Sequence, residues 1–329
     1  MTDTASESKT EHATAFGPVP SRRLGRSLGI NNIPPKICTY ACVYCQLGRT
    51  LKMQVDRQGF YEPEEVVQAV RDKVKKVIEL GESIDYLTFV PDGEPTLDQN
   101  LGLEIERLKP LGIKIAVITN GSLMWREDVR EELAKADWVS LKNDAASEDV
   151  WHRINRPHRS LSLSAIQEGM IKFAETYEGQ LMTETMLVRG INNSEVHLRQ
   201  VASIIAHLDP NRAYLAIPTR PPAEPWAQPP DETGINRAYQ ILSEQVTRVE
   251  YLIGYEGNAF AFTGNVEEDL LSITSVHPMR EDAVTKFLKR AESDWSVVKH
   301  LINQNQLVET QHGDHLFYLR RLADPVRNG

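Results

Sequence analysis

The sequence predicts an α/β protein: a partial, TIM-like (β/α)6 barrel followed by a small winged-helix-like domain. Three observations carry this. A chain of 329 residues suits one α/β barrel of about 200–250 residues with an appendage. From Ser27 to Ile253, short apolar runs alternate with helical patterns, as in a parallel sheet with helices outside it. Six such units without a detectable sequence repeat fit an incomplete barrel better than a solenoid. Beyond about residue 266 the alternation stops, and three short helical patterns precede two strand patterns, the winged-helix order. The expected division is a disordered tail over 1–15, the barrel with an extension over 16–265, and the small domain over 266–329.

The elements follow in order. Ser27–Ile33 reads as the first strand and runs through Pro34-Pro35 into a cysteine-bearing loop. In Pro63–Leu80, Val66, Val70, Val74 and Val77/Ile78 keep helical spacing, with proline at the start and Gly81 at the end. The strand Asp85–Val90 runs into P-D-G-E-P. A helix over Asn100–Leu108 precedes the strand Ile113–Ile118, which ends in T-N-G. The helix Glu127–Ala136 and the strand Trp138–Leu141 follow. Ser164–Tyr177 places Ile166, Met170, Phe173 and Tyr177 on one helical face. Leu181–Val188 is a strand, and Ser194 can cap a helix carrying Leu198, Val201, Ile204 and Leu208. The strand Ala213–Ile217 is broken by a proline-rich run, and Glu232–Val246 and Val249–Ile253 complete the series. Glu267–Ile273, Arg280–Ala291 and Trp295–Asn303 are the three late helices, the last capped by Asp294. Leu307–Thr310 and His315–Arg320 are the two strands, joined through Q-H-G-D.

Composition limits the function classes. Hydrophobic residues at 41% and charged residues at 25% are ordinary globular values. No apolar run is long enough to span a bilayer, and the polar N-terminus does not read as a secretory signal, so the cytoplasm is the expected compartment. The net charge of −9 argues against a general nucleic-acid coat. The balance is uneven: residues 16–60 hold seven basic side chains against one acid, Asp56, a local net of +6. Residues 279–329 hold eight basic residues against seven acids, a poor footprint for duplex DNA. A protein-docking or lid role for that domain competes with nucleic-acid docking. No P-loop and no G-x-S-x-G elbow is present.

The three cysteines, Cys38, Cys42 and Cys45, fall in one eight-residue window, C-T-Y-A-C-V-Y-C. An odd number cannot form a closed disulfide set, and thiolates crowded in this way select soft metals. A structural zinc site needs a fourth ligand, and no histidine lies between His12 and His152. Three thiolates leave a four-iron cluster with one iron open to exogenous chemistry.

C-x3-C-x2-C with Tyr44 before the last cysteine, placed after a first strand and ahead of a six-unit α/β series, resembles the signature of the radical S-adenosylmethionine (SAM) superfamily. The resemblance implies a [4Fe–4S] cluster held by Cys38, Cys42 and Cys45, with SAM on the fourth iron. It also implies an external one-electron reductant and reductive cleavage of SAM to a 5′-deoxyadenosyl radical. That radical takes hydrogen from a substrate the sequence does not identify. Several positions match the superfamily pattern for SAM binding: Gly93 and Glu94 in D-G-E-P, where Asp92 stands in place of a first glycine, Asn120 in T-N-G, and Lys142 and Asn143 after the fourth strand. Glu184, inside an apolar strand, is expected in a buried ion pair or on a ligand. Arg189 and Arg220, at strand ends, are candidates for an anionic group, as are Arg22 and Arg23 for an anionic substrate. F-G-P-V-P-S, I-N-R-P-H, E-T-M-L-V, T-R-P-P-A-E and S-V-H-P-M-R together resemble a poorly characterised branch classified beside the wyosine-forming tRNA enzymes. The wyosine reaction itself does not transfer, since no cysteines remain for a second cluster. Two other classes stay open at this point: an iron–sulfur electron carrier or sensor, and a winged-helix regulator that binds nucleic acid.

Overall fold

The computed structural model describes residues 14–254, 257–258 and 260–321. Most of the expected N-terminal tail therefore lies outside the described residues, and its last residue, Ala15, already belongs to a strand.

The central sheet has eight strands: β1 (Ala15–Ser21), β2 (Gly25–Ile30), β3 (Tyr86–Phe89), β4 (Lys114–Thr119), β5 (Trp138–Lys142), β6 (Gln180–Met186), β7 (Arg212–Ala216) and β8 (Val249–Leu252). They lie side by side in sequence order. β1 pairs antiparallel to β2, and β2 through β8 are parallel. Parallel neighbours need a crossover, and right-handed crossovers that all step the same way put their helices on one face of the sheet. The helices Pro63–Glu79, Leu101–Leu108, Glu127–Leu133, Leu163–Thr176, Glu195–Leu208 and Glu232–Ser243 fill those connections. Their local causes are those read from the sequence. Pro63 starts the first, while Ser162, Ser194 and Asp231 accept from the Ala165, His197 and Gly234 amides at the starts of the last three.

The sheet separates two apolar layers. Val139, Leu141, Leu181, Leu87, Val117 and the helix faces form the larger core. On the opposite face, Trp138, Met182, Tyr214, Ala216 and Leu252 pack with Leu24. The alternation along β5 and β6 puts Lys142 and Glu184 on this second face, in line with Trp138 and Met182.

Two elements escape a periodicity reading. β1 interrupts its register between Phe16 and Val19, and Phe16 lies so close over Gly29 that a Cβ there would stand 1.9 Å from its ring. The short helix Glu148–Ile154 supplies only two buried residues, Trp151 and Ile154, which is too few for a period.

The C-terminal residues form helices Val266–Val276, Glu281–Arg290 and Trp295–Asn303 and a three-stranded sheet. In that sheet His315–Arg320 lies between Met279–Arg280 and Leu307–His312. The hairpin turns through Gly313-Asp314, with Gly313 at φ 56°. Phe260, Leu270, Phe287, Leu301 and Tyr318 build a separate core, against which Val19 of β1 packs. The Ala261 amide donates to the Pro18 carbonyl at 3.1 Å, and Lys73 meets Asp269 at 3.2 Å. The outer edge of β1 is thus covered rather than left open to another chain. Among the described residues no helix is long and apolar enough to cross a membrane.

Candidate functional site

The cysteine loop leaves the C-terminal end of β2 and crosses the ends of the neighbouring parallel strands, where α/β sheets place their ligands. Backbone hydrogen bonds tie it to three other loops. The Glu94 amide donates to the Ile37 carbonyl (3.1 Å), the Ala41 and Val43 amides to Asn155 and Ile154 (both 3.0 Å), and the Glu224 amide to Val43 (3.0 Å). His158 donates to the Thr39 carbonyl at 2.9 Å. The segments I-N-R-P-H and T-R-P-P-A-E therefore serve as clamps on the cysteine loop.

All three cysteines are free thiols and line one cavity of about 70 Å³, together with Lys36, Tyr40, Leu47, Arg49, Asp92 and Gly93. Burial pushes each thiol up, Cys42 to about 12, with neighbouring carboxyls adding to the effect for all three. Three sulfur donors on one cavity are the ligand type a soft metal selects. Two amides already point at sulfur: Asn120 Nδ2 lies 3.5 Å from Cys38 Sγ, and Asn155 Nδ2 lies 3.5 Å from Cys42 Sγ. Such donors tune iron–sulfur clusters. Among the described residues no three histidine, cysteine or carboxylate side chains are grouped to hold a single metal ion. The cysteines surround a volume instead, which suits a cluster of several atoms.

The walls of the cavity are fixed by sequence-specific contacts. Gly93 is required by proximity, since a Cβ there would lie 2.0 Å from the Ile37 carbonyl oxygen. Glu94 does not point into the cavity. Its carboxylate accepts from the Thr96 amide and hydroxyl, the Thr119 hydroxyl (2.6 Å) and the Asn120 amide (2.8 Å), so it locks the end of β4 and thereby positions Asn120. Asp92 Oδ1 is buried without a hydrogen-bond partner, and burial pushes this carboxyl up to about 8 against the pull of Lys36 and Arg320.

Beside the cysteines lies a second group of side chains. The Tyr44 hydroxyl donates to Asp144, whose carboxylate also accepts from Asn155 (2.8 Å) and from the Met186 amide (2.8 Å). Lys142 Nζ sits 5.1 Å from the Tyr44 ring centroid. Lys142 and Glu184 are paired residues of β5 and β6, and Glu184 receives both Lys142 and Arg23. Burial alone would raise the Glu184 carboxyl; Lys142 and Arg23 overcome it and hold it at about 2. The expected carboxylate inside an apolar strand is thus a buried ion pair. Asn143 Nδ2 and Gln167 Nε2 are buried donors without partners, and both residues line a small cavity of about 20 Å³ with Tyr40, Lys142 and Asp144.

The arginines divide. Arg220 donates to Gln46 Oε1 at 2.5 Å and to the His277 ring at 3.1 Å, so it links the cysteine loop to the end of the helix Val266–Val276. Arg22 is exposed in the β1–β2 turn. Arg189 is not brought to either group: it is exposed and donates to the Pro229 carbonyl at 3.0 Å. Asn155 and Asp144, which join the two groups, carry no spacing signal in the sequence; only their place in I-N-R-P-H and K-N-D could have marked them.

The family model described as the Radical SAM superfamily matches residues 32–200, a span that holds the three cysteines and, apart from Arg23, the second group. The chain belongs to the radical SAM superfamily. Superfamily members use a [4Fe–4S] cluster and SAM, and the donor set above fits them. A UPF0026 protein of Methanocaldococcus jannaschii is 45% identical over 95% of this chain and 98% of its own length. A UPF0026 protein of Helicobacter pylori is 34% identical over 63% of this chain and 66% of its own. Among solved structures, TYW1 with a bound lysine–pyruvate adduct superposes with a TM-score of 0.53 at 18% identity, over 67% of this chain and 74% of that one. This radical SAM protein is thus similar to UPF0026 proteins, over nearly its whole length in the first case, and shares its fold with TYW1.

Proposed function

We propose that this protein is a radical SAM enzyme in which Cys38, Cys42 and Cys45 ligate a [4Fe–4S] cluster whose fourth iron takes SAM. The observation that carries this is three partly buried free thiols lining one cavity at the C-terminal ends of parallel strands. When bound, the cluster supplies the electron that breaks the SAM sulfonium bond to C5′. The chain's own residues bind and orient. Asn120 and Asn155 donate to ligand sulfurs, and Glu94 acts through Asn120 rather than on SAM. The unpartnered Asn143 amide is the donor we assign to a SAM hydroxyl. Lys142 and Arg23 hold Glu184 between them, and Tyr44 fixes the position of Asp144. Arg220 positions the cysteine loop, Arg22 remains a candidate for an anionic substrate, and Arg189 is assigned no role.

In this reading the one-directional sheet is a partial (β/α)6 barrel over 16–265, and the C-terminal residues are a winged-helix-like wall of the site. Its partners are an external reductant and an unidentified substrate, and its compartment is the cytoplasm. The test is anaerobic reconstitution, reduction and addition of SAM. Formation of 5′-deoxyadenosine by the protein, and its loss with iron in Cys38/Cys42/Cys45→Ala, is expected. A stable cluster that never cleaves SAM would make the protein an electron carrier or sensor instead.

A further inference from the structure

The cavity that holds the cysteines has a thin outer wall. Arg49 and Thr50 line it from inside and also line a second, outward cleft of about 280 Å³ with Ala41, Arg156, Ala223 and Glu224. Ala41 directly precedes Cys42, so the cleft and the cysteines are separated by little more than one stretch of backbone.

The charge around this cleft is opposite to that of the whole chain. Arg49 and Arg156 share the one Glu224 carboxylate at 3.5 and 2.7 Å, and their own side chains stay 76% and 43% exposed. Lys36 lines the cysteine cavity on the same side, with Nζ 3.7 Å from the Cβ position of Gly48. Lys52 is exposed on the short strand that pairs with the cysteine-bearing segment. Arg49, Arg156, Lys36 and Lys52 thus stand on this side of the cysteine loop against the two carboxylates Glu224 and Asp92, in a protein of net charge −9. Two large apolar side chains stand among them: Leu51 is 46% exposed and Trp226 49%. The Arg156 guanidinium lies 6.0 Å from the Trp226 ring centroid. An exposed tryptophan beside arginine is the composition of a binding hot spot.

We infer that this basic, tryptophan-bearing rim is the docking face for an acidic, one-electron carrier protein. The inference rests on the cluster reading above. Elsewhere the acidic surface repels such a carrier, while the rim attracts it to the place where the cysteines lie nearest the outside. Steering of this kind raises association rates about 10- to 1000-fold and fades with salt. One electron leaves the carrier and enters the cluster, and no bond forms or breaks.

The experiment follows cluster bleaching by anaerobic stopped flow with two electron donors: a reduced acidic flavodoxin, and the uncharged photoreductant 5-deazariboflavin. With flavodoxin, Arg49→Glu/Arg156→Glu is expected to lower the second-order rate at least 10-fold in 50 mM NaCl, and Lys52→Glu severalfold. In 500 mM NaCl the wild-type rate falls toward that of the variants. With 5-deazariboflavin, Lys52→Glu reduces like wild type, and the double variant, whose Arg49 lines the cysteine cavity, is read as its flavodoxin rate divided by its 5-deazariboflavin rate. Because the double variant also disturbs Glu224, Arg49→Lys/Arg156→Lys serves as a control and keeps the wild-type rate. Equal flavodoxin rates in wild type and both charge reversals, or a rate independent of salt, would overturn the inference. A chain that takes up no cluster is bleached by neither donor, which would sink the function reading and is a different failure.

Discussion

Glu184 and Glu104 are both buried carboxyls, and their surroundings drive them in opposite directions. Glu184 is held at about 2 although burial opposes ionisation, because Lys142 and Arg23 lie against it. A carboxyl whose folded value is depressed contributes stability that is fully present above its ordinary value near 4.5 and lost as pH falls toward 2. Glu184→Gln leaves two buried cations without their counter-charge, so a loss of about 3–5 kcal/mol at pH 7 is expected in urea unfolding. The same variant should flatten the acid limb of the stability curve. Glu104, on the helix Leu101–Leu108, has no exposed surface, and neither carboxyl oxygen has a hydrogen-bond partner. Burial, with Asp98 beside it, pushes it up to about 9. Here the folded state holds the proton more tightly than the unfolded state, so stability is greatest below about 4.5 and declines as pH rises toward 9. Glu104→Gln keeps the shape and cannot ionise. It should stabilise the protein at pH 9 by about 1–3 kcal/mol and have little effect at pH 5. Equal shifts at the two pH values would refute this account of Glu104.

Among the elements, the loop after β3 shows how the backbone builds the site. The Asp92 carbonyl accepts from the Lys36 amide and the Ile37 carbonyl from the Glu94 amide, so two loop backbones touch across Gly93. A Cβ at Gly93 would sit 2.0 Å from the Ile37 oxygen, closer than any side chain tolerates. Gly93→Ala should therefore move Cys38, one residue from Ile37. We expect at least a twofold loss of iron per chain after anaerobic reconstitution, with far-UV circular dichroism unchanged. Full iron loading would show that the loops separate without cost. This part of the site was partly legible in advance. Cysteine spacing, the D-G-E-P and T-N-G turns and the parallel alternation are local patterns, and each lies close to its expected boundary. Arg189 was misplaced because a strand end says where a backbone stops and not which way a long side chain turns; Arg189 turns to the Pro229 carbonyl. Asn155 and Asp144 were missed for a similar reason. Their partners lie in other loops, at sequence distances of up to 113 residues, and no period records such a meeting. β1 was missed because Gly17, Pro18 and Pro20 break the alternation a strand normally shows.

At the scale of the whole molecule, the cysteine loop is a junction. It is held by the loops after β3, β5 and β7, and Arg220 ties Gln46 to His277 at the end of the helix Val266–Val276. The junction joins polar contacts to the edge of the main core: Tyr40 and Val43 are buried in that core, and Ile37, Cys38, Cys42 and Tyr44 pack against it. Without metal, the junction must keep three partly buried thiols protonated and a buried Asp92 oxygen unpartnered. Any cofactor that binds the folded chain and not the unfolded one stabilises it by mass action, at about 4 kcal/mol when the free ligand is a thousandfold above its dissociation constant. Removing the cluster should therefore act unevenly. Anaerobic chelation is expected to lower the melting temperature by several degrees. It should also speed amide hydrogen exchange over 36–54, 154–158 and 219–224, where backbone hydrogen bonds depend on the loop. Exchange in Pro63–Glu79 and Leu163–Thr176 should stay slow, because those helices bury their apolar faces independently of the cysteines. Uniform acceleration across loops and helices would mean that the cluster supports the fold as a whole and is not confined to the junction.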